Sequence, residues 1–346
     1  MKYTNLPSTD IKISKICLGT MTWGKQNTET EGFEQMDYAM DQGVNFFDTA
    51  ELYSVPVEAE TQGDTERIIG NWFKKSGNRD KIVLASKMVG PAFVNKHHMR
   101  EGGFTKESIA IAIEGSLKRL QTDYIDVYQL HWPDRSTNCF GKRDYVHNPE
   151  ESWEDNINEI LHVLEGHIKA GKIRHIGLSN DVAWSTMRYI EESKYNGLPK
   201  IATVQNPYNL LNRTYEIALS EISLREDVGL LAYSPLGFGR LTDKYIDGVG
   251  IENARLTLFP FMARFNTENA IKATKLYYDL AKKHNLSLAT MALAFVNKQP
   301  FVTSNIIGAT TMEQLKENIA SIHVELSEEV LVGIKAIHDL MPNPAP

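Results

Sequence analysis

Short runs of Ile, Val and Leu recur at 16–18, 44–47, 82–85, 125–130, 173–178, 201–204, 230–232 and 302–307, and stretches with helical spacing separate most of them. A run that is apolar at every position suits a strand covered on both faces, whereas a strand with one wet face alternates. Between the runs, Ile109, Ile113, Leu117 and Leu120 fall on one helical stripe. Ile157, Leu161 and Leu164 form another, preceded by Ser152 and Asp155 as a candidate capping-box pair. Alternating strand and helix predicts a parallel sheet, and a count of eight strands favours closure into a barrel over an open sheet. The expected fold is therefore α/β, a single (β/α)₈ TIM barrel spanning residues 1–346 as one domain. Residues 2–5 and 10–14 read as an N-terminal β-hairpin (1–14) able to plug the barrel floor. Segments 312–320 and 327–340 read as two extra C-terminal helices, and the Pro-rich residues 342–346 are expected to fray.

Three connections, 53–65, 90–105 and 134–152, are longer than a compact barrel needs. Each comes after a strand and so belongs to the C-terminal rim, where barrel enzymes carry their sites. Composition narrows the field. A net charge of −7 supplies no basic field for nucleic acid or an anionic membrane. No apolar stretch approaches the roughly eighteen residues that cross a bilayer, and the N-terminus lacks the pattern of a secretory signal. Cys17 and Cys139, without a CxxC, fit a reducing compartment and suggest neither a disulfide framework nor zinc. A cytoplasmic location is therefore expected, with oligomeric state left open. His97 and His98 read as a solvated pair with no companion ligands.

The positions just after the apolar runs are polar, and a barrel directs them into one mouth. Strand two ends in Asp48, strand three in Ser86-Lys87, strand four in His131, strand five in Ser179-Asn180, strand six in Gln205-Asn206 and strand seven in Tyr233-Ser234, with Tyr53 on the loop just past Asp48. Reducing a carbonyl needs a hydride donor and, on the oxygen, a proton donor that also stabilises the developing alkoxide. A phenol holds its proton at neutral pH, and a nearby ammonium eases its release. Tyr53 and Lys87 are the matching residue types. Asp48 would pair with Lys87, and His131 would orient the substrate oxygen. Taken singly, each of these residues has an ordinary reading as a cap, a rim charge or a packed side chain; together, in strand-end register, they match one mechanism.

These residues and their flanks resemble the aldo-keto reductase superfamily, and are most similar to the bacterial Tas-like reductases near the potassium-channel β-subunit branch. The segments that carry the resemblance include Gly19-Thr20-Met21-Thr22-Trp23-Gly24, Asn45-Phe46-Phe47-Asp48-Thr49-Ala50-Glu51-Leu52-Tyr53, Asp126-Val127-Tyr128-Gln129-Leu130-His131-Trp132 and Tyr233-Ser234-Pro235-Leu236-Gly237. The resemblance implies an aldehyde or ketone reductase with a catalytic tetrad of Asp48, Tyr53, Lys87 and His131, bound NADPH, a small-molecule carbonyl substrate and no metal. Ser179, Asn180 and Gln205 would hold the carboxamide and Tyr233 would stack on the nicotinamide. Thr20, Met21, Asp48, Ser234 and Leu236 would lie beside it, and Gly237, Gly239, Arg240 and Leu241 would form the pyrophosphate loop. Gly308, Ala309, Thr310, Gln314, Glu317 and Asn318 would meet the 2′-phosphate and adenine. Many relatives place Lys, Ser and Arg where this chain has Gly308, Ala309 and Gln314, so Lys244 and Arg255 are expected to supply the missing charge. Thr311 and Gln314 also read as a capping box that needs no ligand. Trp23, Trp132, Phe140 and Tyr208 fall at substrate-pocket positions. The branch also keeps open a nucleotide-holding regulatory subunit with little turnover. A metal-dependent hydrolase would need more ligands than the single His and single Asp at the strand ends.

Overall fold

The computed structural model describes residues 1–92, 96–97, 99–246, 254–259 and 264–346. An antiparallel pair comes first, β1 (Tyr3–Asn5) against β2 (Lys12–Ser14). Eight parallel strands then close on themselves. They are β3 (Ile16–Gly19), β4 (Phe46–Asp48), β5 (Val83–Met88), β6 (Ile125–Leu130), β7 (Ile173–Ser179), β8 (Ile201–Pro207), β9 (Gly229–Tyr233) and β10 (Val302–Ile307), and β10 returns to pair with β3. The registers set Gly19 beside Asp48, Lys87 beside Gln129 and Ser179 beside Gln205. Several strands run past the apolar runs that announced them, through Ser86-Lys87 and Gln205-Asn206. Backbone pairing continues where the side chains turn polar, so hydrophobicity ends before the ladder does.

Helices α1 (Glu29–Asp41), α2 (Asp64–Ser76), α3 (Lys106–Leu120), α4 (Ile157–Lys169), α5 (Ala183–Asn196) and α6 (Leu219–Glu226) come after the first six barrel strands in turn. The short α7 (Arg255–Leu258), then α8 (Glu268–Lys283) and α9 (Leu288–Lys298), lie between β9 and β10, and α10 (Met312–Ala320) and α11 (Glu328–Leu340) end the chain. Ser or Thr side chains cap many of these helices. Thr28 and Glu31 form a reciprocal capping box on α1, and Thr105, Thr267, Ser287, Thr311 and Ser327 each accept a backbone N–H in the first turn of their helix. The pair read at Ser152 and Asp155 does not cap α4. That helix begins at Ile157 behind Asn156, and Asp155 instead accepts from the Ile157 N–H and from Arg188. Both expected C-terminal helices form. The first takes the eighth helical position of the barrel, while α8, which the sequence did not single out, is an added helix after β9.

The hairpin closes the floor as expected. Leu6, Ile11 and Ile13 pack with Cys17, Phe46, Val127, Leu231 and Ile306 in one apolar cluster inside the lower barrel. The tail corrects its expectation. Ala345 is fully buried and its N–H donates to Leu211 O, Asn343 Oδ1 accepts from Arg213 N–H and Pro344 O accepts from the Thr267 hydroxyl, so the last residues are tied down. Among the described residues, no helix is long and apolar enough to cross a membrane.

Candidate active site

Asp48, at the end of β4, is the hub of a polar layer inside the barrel. Its Oδ2 accepts from Lys87 Nζ at 2.7 Å, and its Oδ1 accepts from the amide nitrogens of Gln205 at 2.7 Å and Gln129 at 3.2 Å. Lys87 Nζ also donates to Thr49 O at 2.7 Å and lies 3.3 Å from the Tyr53 hydroxyl. The whole Lys87 side chain is buried, which is sustainable because its three donors have three acceptors. The His131 ring lies edge-on to Tyr53 with centroids 5.8 Å apart, and its Nδ1 is buried without a partner among the described residues. Asp48, Lys87 and His131, read at three strand ends, and Tyr53, read on the loop past Asp48, therefore meet in one place.

Burial sets the protonation of this group. It drives the His131 pKa well below its ordinary value, with the Lys87 charge adding to the effect, so the imidazole is neutral. Burial also opposes the charge on Lys87, but Asp48 and then Tyr53 outweigh it and the net shift is upward. For Tyr53, burial raises the pKa and Lys87 pulls it back without cancelling the rise. The site thus holds a protonated phenol, a protonated amine and a neutral imidazole. The ammonium moderates the penalty on phenolate without producing the net lowering that simple charge proximity suggests.

Above this layer opens a cavity of about 720 Å³, within the range of roughly 300–1,000 Å³ typical of small-molecule sites. Of the residues read as catalytic, Asp48, Tyr53 and His131 reach its wall and Lys87 stands behind them. The wall also includes Thr20, Met21, Asn180, Gln205, Tyr233, Ser234, Leu236, Gly239, Lys244, Arg255, Gly308, Ala309, Thr310, Gln314 and Asn318, all positions expected to meet a cofactor. Gly308 has open space where a side chain would begin, and Gly237 and Gly239 adopt the left-handed conformation at φ 53° and 92° that glycine takes without strain. Asn180 donates both amide hydrogens inward, to His131 O and Ser179 Oγ, and Gln205 spends its own on Asp48 and Gln129. Each can offer a ligand only its amide oxygen, so both suit the NH₂ of a carboxamide. Gln314 serves two ends: its Oε1 accepts from the Thr310 N–H and hydroxyl while Thr311 caps α10, and the side chain still lines the cavity.

Several expected contacts lie elsewhere. Ser179 is buried behind the wall and donates to Gln205 O. Gly237 and Leu241 lie off the wall, and Arg240 points away, donating to Phe265 O and Asn266 Oδ1 and lying over the Tyr245 ring. Glu317 accepts from Ser287 and Thr290 and ties α10 to the start of α9. Of the four aromatics read at pocket positions, only Phe140 reaches the cavity. Trp23 packs in the core with its indole N–H on Gln35, and Tyr208 packs between Phe295 and Phe301 with its hydroxyl on Glu216. Trp132 forms a second layer, donating to Pro91 O and pressing on both His131 and Phe140; Gly90 leaves room for it, since a Cβ there would come within 2.4 Å of the indole. His97 is buried and bonded to Gly90 O and the Met99 N–H, so it is not solvated, and His98 lies outside the described residues.

Sequence reading also missed a buried ionic layer behind Tyr53. Glu51 accepts from the Val89 N–H and from Arg100, while Glu66 accepts from Ser86 at 2.5 Å and from Arg119 at 2.7 Å. It pins the Tyr53 loop and the Arg100 loop to the end of β5. Gln129 was findable, because two-residue spacing puts it on the same strand face as His131. Glu51 and Glu66 carried no such signal.

Known proteins are similar to this chain in sequence along its length. Residues 15–339 match the model of the "Aldo/keto reductase family". The chain is 49% identical to "Protein tas" of Escherichia coli (strain K12) over the full length of both. It is 34% identical to "Uncharacterized oxidoreductase YrpG" of Bacillus subtilis over 99% of this chain and 97% of that one, and 29% identical to "Norsolorinic acid reductase B" of Dothistroma septosporum over 98% and 82%.

Proposed function

The chain belongs to the aldo/keto reductase family, and from that premise we propose that it is a cytoplasmic, NADPH-dependent reductase of aldehydes or ketones in which Tyr53 is the general acid. Oxidoreduction with a nicotinamide cofactor is the family's general chemistry; NADPH, the carbonyl substrate and the residue roles are this reading's own. The observation that carries it is the Tyr53 hydroxyl 3.3 Å from Lys87 Nζ, beside a neutral His131 at a cavity wall.

A reduced nicotinamide, when bound, supplies the hydride. Asn180 and Gln205 would accept hydrogen bonds from its carboxamide, Tyr233 would cover its ring, and Lys244, Arg255 and the Gly308–Gln314 end of the wall would meet its phosphates. The substrate carbonyl oxygen takes the Tyr53 hydroxyl as donor. Neutral His131 fixes that oxygen's position without competing as an acid. As negative charge builds on the oxygen, the phenol proton crosses to it, and the phenolate left behind is stabilised by the Lys87 ammonium, itself held by Asp48 and Thr49 O. Solvent then returns a proton to Tyr53, and the products are an alcohol and the oxidised cofactor. The test is NADPH consumption with a panel of aromatic aldehydes and quinones. Turnover supports the reading; cofactor retention with no turnover across the panel points to a nucleotide-holding subunit instead.

A further inference from the structure

The cavity wall is positively charged in a chain whose net charge is −7. Among the described residues its only acid is Asp48, already satisfied by Lys87, Gln129 and Gln205, while four cations face the space: Lys96, Lys244, Arg255 and Arg264. None of the four forms an ion pair with a described residue. Lys96 and Lys244 are exposed, whereas Arg255 and Arg264 are partly withdrawn from water, where an unpaired charge is costly unless an anion arrives to meet it. Lys244 and Arg255 sense each other electrostatically and Lys244 also senses Glu317 on α10, so this pair belongs to the end where a dinucleotide's phosphates are expected.

Arg264 shares the Phe238 ring with Arg255, which lies 5.7 Å from its centroid, but sits at the Gly141 side of the wall. Its guanidinium lies near two rings, 5.5 Å from the Phe238 centroid and 5.1 Å from that of Phe265. Its Cδ and Cβ lie 3.4 and 3.9 Å from where a Gly141 side chain would begin, with Pro346 O at 3.5 Å, so it sits beside the loop beyond β6 and His131. It also acts on the Tyr233 hydroxyl, which donates to Asn180 Oδ1 at 2.6 Å, and Asn180 in turn holds His131 O at 2.9 Å. A run of contacts thus links Arg264 to the catalytic side of the cavity, next to Phe140.

Resting on the reductase reading, we propose that Arg264 receives a carboxylate on the substrate, so that this protein selects carbonyl compounds that carry an acid. A planar guanidinium beside this edge-on ring pair offers the two parallel N–H groups that a carboxylate takes, and Phe140, Val55 and Val57 supply apolar cover for the body of such a molecule.

The test compares 4-carboxybenzaldehyde with its methyl ester at saturating NADPH, in the wild type and in Arg264→Gln and Arg264→Lys. The wild type is expected to favour the acid in kcat/KM. Arg264→Gln is expected to cut the acid-to-ester ratio by about 10- to 100-fold, the value of a charge-assisted hydrogen bond, with Arg264→Lys restoring part of it. An unchanged ratio overturns the proposal, as does a loss that appears as weaker NADPH binding by fluorescence titration with the ratio intact. If neither aldehyde nor any member of the aldehyde and quinone panel is reduced, the reductase reading fails; calorimetric binding of terephthalate to the NADPH-loaded protein then decides the acid site, and binding that Arg264→Gln does not weaken refutes it.

Discussion

Lys87 and Asp48 form a salt bridge of 2.7 Å with both side chains almost wholly out of water. Removing one member of such a pair strands the other. Lys87→Met is therefore expected to lower unfolding free energy by about 3–5 kcal/mol, and the double change Asp48→Leu with Lys87→Met to cost clearly less than the two single changes summed. Urea denaturation checks this. Strict additivity would mean the pair has no structural coupling.

Protonation makes a second prediction. The pKa of His131 is depressed in the folded state, so between the folded value and the unfolded value near 6.5 the unfolded chain binds more protons. Stability is then full above about pH 6.5 and falls as the solution is acidified below it. His131→Asn should flatten the fall between about pH 6.5 and 5, read by thermal melting at each pH. Because Tyr53 and Lys87 both shift upward, carbonyl reduction should show no inflection below about pH 9, and should decline only as the phenol and amine deprotonate. An inflection in kcat/KM on the acid side of pH 6.5, where the depressed His131 titrates, would assign the proton donor to His131 instead.

Much of this arrangement is legible in the sequence because the barrel imposes a simple rule: an apolar run delivers the residues at its C-terminal end to the mouth. That rule found Asp48, Lys87, His131, Asn180, Gln205 and Tyr233. It failed where the side chain's direction depends on its neighbours. Trp23 and Tyr208 turn into the core because Gln35 and Glu216 satisfy their polar atoms there, and Arg240 turns away because Phe265 O and Asn266 accept its hydrogens. The tail was misread for a related reason. Prolines end helices but do not forbid docking, and Asn343 and Ala345 find backbone partners on a distant loop.

Lys244 and Arg255 give a third prediction. Burial lowers both pKa values, Arg255 to about 10, so each gains from an arriving anion. Lys244→Met and Arg255→Met should each raise the NADPH dissociation constant by about tenfold or more, with a smaller effect on NADH. Equal losses for both cofactors would place these cations on the pyrophosphate and leave the 2′-phosphate without a dedicated partner.

The floor should be separable from the chemistry. Ile13 is fully buried in the hairpin plug, among side chains at the opposite end of the barrel from Tyr53. Ile13→Ala should cost about 2–5 kcal/mol in denaturant unfolding while leaving KM near the wild-type value. A large change in KM would show that the hairpin couples to the mouth.

Tyr53→Phe removes the hydroxyl proposed to deliver the proton while keeping the ring beside His131. NADPH binding by fluorescence and aldehyde reduction should be measured on the same sample. Cofactor binding is expected within about twofold of wild type and turnover reduced by about 10²- to 10⁴-fold. Turnover that survives the substitution would contradict that role for Tyr53.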